Sequence, residues 1–283
     1  MKTSPAADSL RLALVLPIVL AFLGFAPFAH AQGEGVSNQT QMGAAGGMTD
    51  QLAYGNLGAQ VERDQSDAFH AFIKERDTAK KIQRGREFLQ RFPKSLLAEQ
   101  VDASLMDVYR TQADWKNEYT FADAALVLNP NDVDVLATVG WTIPHVYQPS
   151  DPDADQELDK AEKFAQHALE ILATIPKPPD MNDAQFAAAK AKRTSQAHSA
   201  LGLVYFRRND YENSAKELVL SSTGNPAPDQ TDLYVLGIDF AKLNRVGEAA
   251  DAFGRCGQIA GALQDACKKN AAAAAQAGKA NSQ

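Results

Sequence analysis

An acidic stretch between residues 151 and 162 is the only arrangement in this 283-residue chain that resembles a metal site. Asp151, Asp153 and Asp155 stand at alternate positions, and Glu162 is the twelfth residue of the stretch. Carboxylate oxygens at such spacing are the ligands that Ca²⁺ takes in a compact loop. The stretch therefore raises the hypothesis of a calcium site.

The spacing is similar to that of an EF-hand calcium loop, and Leu158 stands where a hydrophobic residue is usual. Gln156, however, replaces the glycine that makes the sharp turn, and Pro152 separates the first two carboxylates. Alternatively, the acidic residues 153–157 flank the start of a helix, where negative charge interacts favourably with the helix dipole. The sequence leaves both interpretations open.

Residue types that support catalysis form no recognisable pattern elsewhere. The histidines His70, His145, His167 and His198 lack the spacing of a metal-binding helix pair, and no HExxH, GxSxG, phosphate-binding glycine loop or CxxC occurs. We therefore expect surface or packing roles for the histidines, no cofactor and no enzymatic activity. An enzyme or a calcium-dependent module built on the acidic loop is the alternative.

The N-terminal residues predict export. Lys2 and Arg11 accompany an apolar run over residues 12–29, and the tripeptide Ala-His-Ala at 29–31 has the small-x-small form of a signal-peptidase site. We expect residues 1–31 to be a cleaved signal peptide and the protein to be periplasmic or secreted. The alternative is an uncleaved membrane anchor, and only then do we expect contact with a membrane.

Composition narrows the class of partner. The formal net charge is −7, and removing residues 1–31, which carry a net charge of +1, makes it −8. Because phosphate binding requires a basic surface, we do not expect a nucleic-acid partner.

Residues 32–60 are rich in Gly, Gln, Asn, Ser and Ala and are predicted to form a flexible linker. The rest lacks strand-like alternation, which favours an all-α fold.

A pattern of about 34 residues occurs twice between Ser195 and Ile259. Each copy predicts a first helix, a polar turn and a second amphipathic helix. A glycine inside a helix costs roughly 1 kcal/mol relative to alanine, so the glycine of each first helix indicates two backbones in close contact. The shared positions are Leu201, Gly202, Tyr205, Asp210, Ala215 and Leu218 in one copy, and Leu236, Gly237, Phe240, Asn244, Ala249 and Phe253 in the other.

This unit resembles the tetratricopeptide repeat (TPR), a helix-turn-helix unit that stacks into a right-handed superhelix. The resemblance implies an all-α, TPR-like solenoid over residues 61–277. Eight or nine residues are inserted in the third unit, because Gly140 and Ala161 are 21 positions apart against 13 and 12 in the two clear copies. The implied repeats lie near 62–95, 99–132, 133–176, 195–228 and 230–262, with a capping helix at 263–277.

The resemblance also implies a binding surface, because TPR proteins bind protein or peptide partners along a concave groove lined by the first helix of each unit. The matching residues here are mixed apolar and basic, which favours a partner bearing carboxylates. Alternatively, they are ordinary solvated and inter-repeat residues. They are Asp107, Arg110, Trp141, His145, Leu203, Phe206, Arg207, Tyr234, Ile238 and Lys242.

Two kinds of binding protein fit this sequence. One is an exported scaffold that binds other proteins through the groove, with a role in envelope assembly or maintenance. The other is a structural component of an envelope complex that uses the convex face or the N-terminal linker.

Cys256 and Cys267 are the only cysteines. In an oxidising compartment an isolated pair favours a disulfide, and Gly257 and Gly261 allow the chain to turn between them. We therefore predict a bridge that joins the last repeat to the capping helix. Two buried thiols are the alternative.

Overall fold

The chain folds into helices. The computed structural model describes residues 50–281 apart from 180, 224 and 226, and over these residues it contains eleven α-helices and no strand. This confirms the all-α prediction. In chain order the helices are α1 (Asp50–Lys74), α2 (Thr78–Arg91), α3 (Ala98–Thr111), α4 (Trp115–Leu128), α5 (Val133–Val146), α6 (Ala154–Thr174), α7 (Asp183–Arg207), α8 (Tyr211–Ser222), α9 (Gln230–Lys242), α10 (Val246–Gln258) and α11 (Gln264–Asn281).

The first ten helices form five hairpins that stack in chain order, and α11 packs on α10. Substantial helix contacts join neighbours along the chain, and in addition α5 contacts α7 and α7 contacts α9. A domain in which each unit packs on the adjacent unit is a solenoid. The fold is therefore a TPR-like solenoid, in which the first helices of the last three hairpins lie side by side.

The turn within a hairpin is built in the same way three times. Ala113, Asn209 and Asn244 follow a first helix with φ of 57°, 63° and 59°, in the left-handed region. The next residue in each turn donates its backbone N–H to the carbonyl five residues earlier, at 3.0, 2.9 and 2.8 Å. This is the Schellman arrangement, which satisfies the last carbonyls of a helix. Repetition of this turn gives these hairpins the same reversal of chain direction.

An aspartate then caps the second helix in two of these three hairpins. The carboxylates of Asp114 and Asp210 accept the backbone N–H of Asn117 and Asn213, both at 3.2 Å, and the side-chain amides of the same asparagines at 2.7 Å. Such caps satisfy N–H groups that have no partner inside the helix. Asp210 thus has the turn-and-cap role that its place in the repeat predicts.

Buried glycines bring the helices of a hairpin together. A Cβ atom on Gly202 would lie 2.5 Å from Cγ of Leu218, and one on Gly237 would lie 2.6 Å from Cδ1 of Phe253. Both distances are far below van der Waals contact, which agrees with the close packing that these glycines predict. Gly85, which the sequence pattern did not single out, lies against Leu105 and Phe72 in the same manner.

Several boundaries differ from the sequence predictions. Helix α1 begins at Asp50, so the prediction of a flexible linker is wrong for residues 50–60, whose Leu, Ala and Gln residues favour a helix. Helix α5 continues through Pro144, which lies in its last turn where the loss of one hydrogen bond is tolerated. The capping helix extends to Asn281. The predicted signal peptide and residues 32–49 lie outside the described residues.

None of the described helices has the length and apolar character needed to cross a membrane.

The predicted disulfide joins Cys256 of α10 to Cys267 of α11, with the two Cα atoms 5.7 Å apart. Both cysteines are fully buried, and Leu233, Ile259 and Leu263 pack around them. The bridge therefore fastens the capping helix to the last hairpin inside a small apolar cluster.

Glycine substitutions test the close packing. We expect Gly202→Ala to lower the free energy of unfolding by roughly 1–3 kcal/mol, because the added methyl group overlaps Leu218. The control is Gly254→Ala in α10, where an added Cβ meets nothing within 4 Å. That change should raise stability by about 0.5–1 kcal/mol. Urea unfolding of both variants measures the difference, and equal effects would contradict the close-packing argument.

Removal of the disulfide tests how the cap is held. Replacing both Cys256 and Cys267 with alanine should lower the free energy of unfolding by roughly 2–3 kcal/mol, because the bridge closes a short loop in the unfolded chain. Guanidinium unfolding of the variant, compared with the oxidised and the reduced natural protein, measures this. If reduction leaves the unfolding midpoint of the natural protein unchanged, the bridge does not stabilise the cap.

Candidate functional site

The candidate binding surface is formed by α5, α7 and α9, which lie side by side. Eight of the ten predicted groove residues come from these three helices, and the other two lie on α3. The eight are Trp141, His145, Leu203, Phe206, Arg207, Tyr234, Ile238 and Lys242. The structure places them in different surroundings, and only some of them are accessible.

Trp141, His145 and Arg207 come together at the C-terminal end of α5. The rings of Trp141 and His145 have centroids 3.9 Å apart. The guanidinium of Arg207 donates through Nη2 to the carbonyl of Pro144 at 3.1 Å and lies 5.4 Å from the centre of the Tyr147 ring. Arg207 therefore ties α7 to the end of α5 and places its charge beside the Tyr147 ring.

Phe206 and Lys242 meet across Tyr211, the first residue of α8. The Phe206 and Tyr211 rings contact edge to face at 6.2 Å, and Nζ of Lys242 lies 5.8 Å from the centre of the Tyr211 ring. Lys242 is exposed, whereas both rings are partly buried. This aromatic and basic group is accessible to a partner. Tyr234 also keeps part of its surface, while its ring packs on Phe253 at 5.8 Å.

The groove prediction is wrong for Leu203 and Ile238. These side chains are only 1% and 3% exposed and belong to the core shared by the last two hairpins. The reason is that α7 contacts α5, α6, α8 and α9, and these four helices cover most of the surface of its C-terminal half. A first helix in this solenoid therefore has a narrower accessible face than the repeat pattern suggests.

Asp107 and Arg110 pair with each other on α3. The Nη2 atom of Arg110 lies 3.3 Å from Oδ1 of Asp107, and both side chains are partly exposed. The positive charge of Arg110 is therefore partly compensated within its own helix. For this reason it is a weaker candidate for anion recognition than Lys242.

The acidic loop does not have the geometry of a calcium site. Glu162 is engaged elsewhere, since its carboxylate accepts hydrogen bonds from Tyr205 and Arg208. Asp151, Asp153 and Asp155 are exposed. Among the described residues, these four carboxylates are not a group whose ligand atoms lie close together.

The loop instead leads into α6. The helix begins at Ala154, directly after Asp153, and Asp155 and Glu157 lie in its first turn. This is the arrangement expected when negative charge is placed near the positive end of a helix dipole. The structure therefore favours the interpretation of these residues as the start of a helix.

A polar cluster that the sequence reasoning missed lies between the end of α5 and the start of α9. His145, Asp229 and Asp232 each contribute a ligand atom, and these atoms lie within 4.8 Å of one another. Asp232 accepts the hydroxyl of Ser199 at 2.8 Å and that of Ser221 at 2.6 Å. Burial raises the pKa of Asp232 to about 7. The two aspartates at the start of α9 were the available signal, but helix-capping residues are common and gave no reason to link them to α5.

Other carboxyl groups are buried between helices. Asp239 accepts the Ser214 hydroxyl at 2.6 Å, and burial raises the pKa of Asp239 to about 7. Glu118 of α4 is fully buried, and neither of its carboxyl oxygens has a hydrogen-bond partner among the described residues. Burial raises the pKa of Glu118 to about 8, against smaller opposing effects of the nearby Thr142 hydroxyl and of Arg110. Glu118 is therefore protonated in the folded protein at neutral pH.

Comparison with known proteins gives structural neighbours only. No family model matches the chain, and no curated protein matches it. The solved structures with similar folds include PilW, a widely conserved type IV pilus biogenesis factor, with a TM-score of 0.49 and 13% identity over 77% of this chain and 90% of PilW. They also include a tetratricopeptide repeat protein from Parabacteroides merdae, with a TM-score of 0.33 and 10% identity over 76% of this chain and 99% of that protein.

The buried Glu118 predicts a pH dependence of stability. Its ordinary pKa of 4.5 is raised to about 8 in the folded protein, so the folded state keeps a proton that the unfolded chain releases. The stability from this group is fully present below about pH 4.5 and is lost as the pH rises through about 8. Glu118→Gln, which stays neutral, should therefore flatten the decline in the free energy of unfolding across that window.

Urea unfolding at a series of pH values measures this effect. The control is Glu212→Gln, which removes an exposed glutamate from α8 and should leave the natural pH profile unchanged. A Glu118→Gln profile parallel to that of the natural protein would show that Glu118 does not retain a proton on folding.

Proposed function

We propose that this protein is an exported, non-enzymatic scaffold that binds an extended, carboxylate-bearing segment of another protein along α5, α7 and α9. The observation that carries the proposal is a pair of aromatic and basic groups on this surface, Arg207 with Tyr147 at the end of α5 and Lys242 with Tyr211 beside Phe206. Flat rings beside cations bind both the apolar and the charged parts of a peptide. Side-by-side helices repeat such contacts along an extended ligand.

Charge supports the choice of ligand. The chain as a whole is acidic, with a formal net charge of −7, whereas Arg207 and Lys242 place positive charge on the proposed surface. A local positive region on an acidic protein directs an anionic segment to that region, because the acidic remainder of the surface repels the segment. We therefore expect affinity for an acidic segment to fall as salt concentration rises.

The location is part of the proposal. A disulfide between Cys256 and Cys267 is typical of an oxidising compartment, and the N-terminal pattern predicts export to one. A protein-binding solenoid in the periplasm or outside the cell suits a role in envelope assembly or maintenance.

A structural role through another surface is the second candidate. Leu96, between α2 and α3, is 94% exposed, Val127 at the end of α4 is 80% exposed and Leu220 of α8 is 52% exposed. Large apolar side chains with this exposure are candidates for contact with another protein. A complex assembled through these exposed side chains would leave the α5–α7–α9 surface free.

A charge reversal tests the proposed groove. Partners are first recovered from an envelope extract with the natural protein, and peptides that tile a recovered partner are then titrated by fluorescence anisotropy. Lys242→Glu should weaken binding of an acidic peptide about tenfold, since one such contact contributes roughly 1–2 kcal/mol. Lys269→Glu makes the same charge change on an exposed lysine of α11 and should leave the affinity unchanged.

Two results would reject the groove. One is equal affinity of the Lys242→Glu variant and the natural protein for every peptide. The other is loss of capture on replacing Val127 and Leu220 with lysine while Lys242→Glu has no effect, which would support the second candidate.

A further inference from the structure

The cluster of His145, Asp229 and Asp232 brings hydrogen-bond acceptors together. Nδ1 of His145 lies 2.7 Å from the carbonyl oxygen of Trp141, so this nitrogen carries the proton and donates it. Nε2 of the neutral ring is then an acceptor. This nitrogen is buried and has no hydrogen-bond partner among the described residues, although part of the ring is accessible.

The two carboxyl groups of the cluster are held in place by other hydrogen bonds. Asp229 receives the backbone N–H of Thr231 at 2.7 Å and that of Asp232 at 3.4 Å through one oxygen, Oδ1. Asp232 receives one hydroxyl on each oxygen, and a carboxylate oxygen has a second lone pair. Both groups therefore retain acceptor capacity toward the imidazole. Neighbouring acceptors repel each other unless a proton or a cation lies between them.

We propose that His145, Asp229 and Asp232 bind a divalent transition-metal ion of the zinc type. Zinc takes imidazole nitrogen and carboxylate oxygen at about 2.0–2.2 Å, and ligand atoms that all lie within 4.8 Å of one another can approach a single ion with small side-chain adjustments. The imidazole favours a transition metal over Ca²⁺ or Mg²⁺, which prefer oxygen ligands. Three protein ligands leave a fourth position for water or a ligand.

The surroundings match the support that metal ligands usually have. A histidine that binds a metal commonly donates its other ring N–H to a carbonyl or carboxylate, which fixes the tautomer, and carboxylate ligands are commonly hydrogen-bonded in turn. Here the Trp141 carbonyl serves the histidine, and the hydroxyls of Ser199 and Ser221 serve Asp232. Arg207, whose charge acts on His145, donates a hydrogen bond to the Pro144 carbonyl.

Such an ion would link the third hairpin to the fifth. His145 belongs to α5, whereas Asp232 belongs to α9 and Asp229 precedes it. Because the three ligands assemble only in the folded protein, metal binding would stabilise the fold. This inference stands independently of the proposed groove function.

Titration of metal into the purified, untagged protein tests the site. After removal of metals with a chelator, isothermal titration calorimetry should show one equivalent of Zn²⁺ bound, with no comparable binding of Mg²⁺ or Ca²⁺, and bound Co²⁺ should give visible absorption. His145→Gln and Asp229→Asn should each weaken Zn²⁺ binding by at least about 100-fold, the upper end of the range for loss of a supporting residue.

Matched controls separate the site from the fold. Asn is as good a helix cap as Asp, so Asp229→Asn keeps the start of α9. Asp132→Asn makes the same change at the start of α5, where the carboxylate accepts two backbone N–H groups. His167→Gln removes a partly exposed histidine of α6. Both controls should bind Zn²⁺ as the natural protein does, and circular dichroism verifies that each variant is folded.

Three outcomes would overturn the proposal. They are the absence of stoichiometric Zn²⁺ binding to the natural protein, undiminished binding by folded His145→Gln and Asp229→Asn variants, and equal affinity for Zn²⁺ and Mg²⁺. The first result would mean that a proton or a water molecule, and not a metal ion, separates the three acceptors.

Discussion

The contact of two helix backbones at a buried glycine is the constraint on which the solenoid depends. At Gly202 and Gly237 any larger residue would overlap a side chain of the second helix. This face of a first helix therefore packs on the second helix of its own hairpin. The other faces of the first helix remain for contact with the next hairpin. The α7–α8 and α9–α10 hairpins combine this close approach with left-handed turns at Asn209 and Asn244, and α7 and α9 then pack side by side.

Close stacking also explains why so many polar groups are buried. Where α7 and α9 are covered by several neighbours, carboxyl groups such as Asp232 and Asp239 lie inside and depend on serine hydroxyls for hydrogen bonds. Burial is costly for a charged group, so the pKa of each of these two carboxyl groups is raised to about 7 despite its hydrogen bonds. The same crowding brings His145 against the start of α9 and creates a site that no single helix contains.

Local patterns in the sequence predicted several features of this protein. The glycines, turns and apolar spacing between Ser195 and Ile259 predicted the helical hairpins, because a helix-turn-helix unit is encoded by residues that are near each other in the chain. The pair of Cys256 and Cys267 predicted the disulfide for the same reason, since the two residues are only 11 apart. The helix boundaries were predicted less accurately, because α1 begins at Asp50, inside the segment predicted to be a linker.

The tertiary structure alone decided which side chains are accessible and which distant residues meet. Leu203 and Ile238 matched groove positions in sequence, yet contacts with four neighbouring helices bury the face of α7 that carries Leu203. Asp232 and His145 are 87 positions apart, and no local pattern relates them. Burial and convergence of this kind depend on how successive hairpins stack, and that depends on the sum of many contacts between units and not on the period of any one helix.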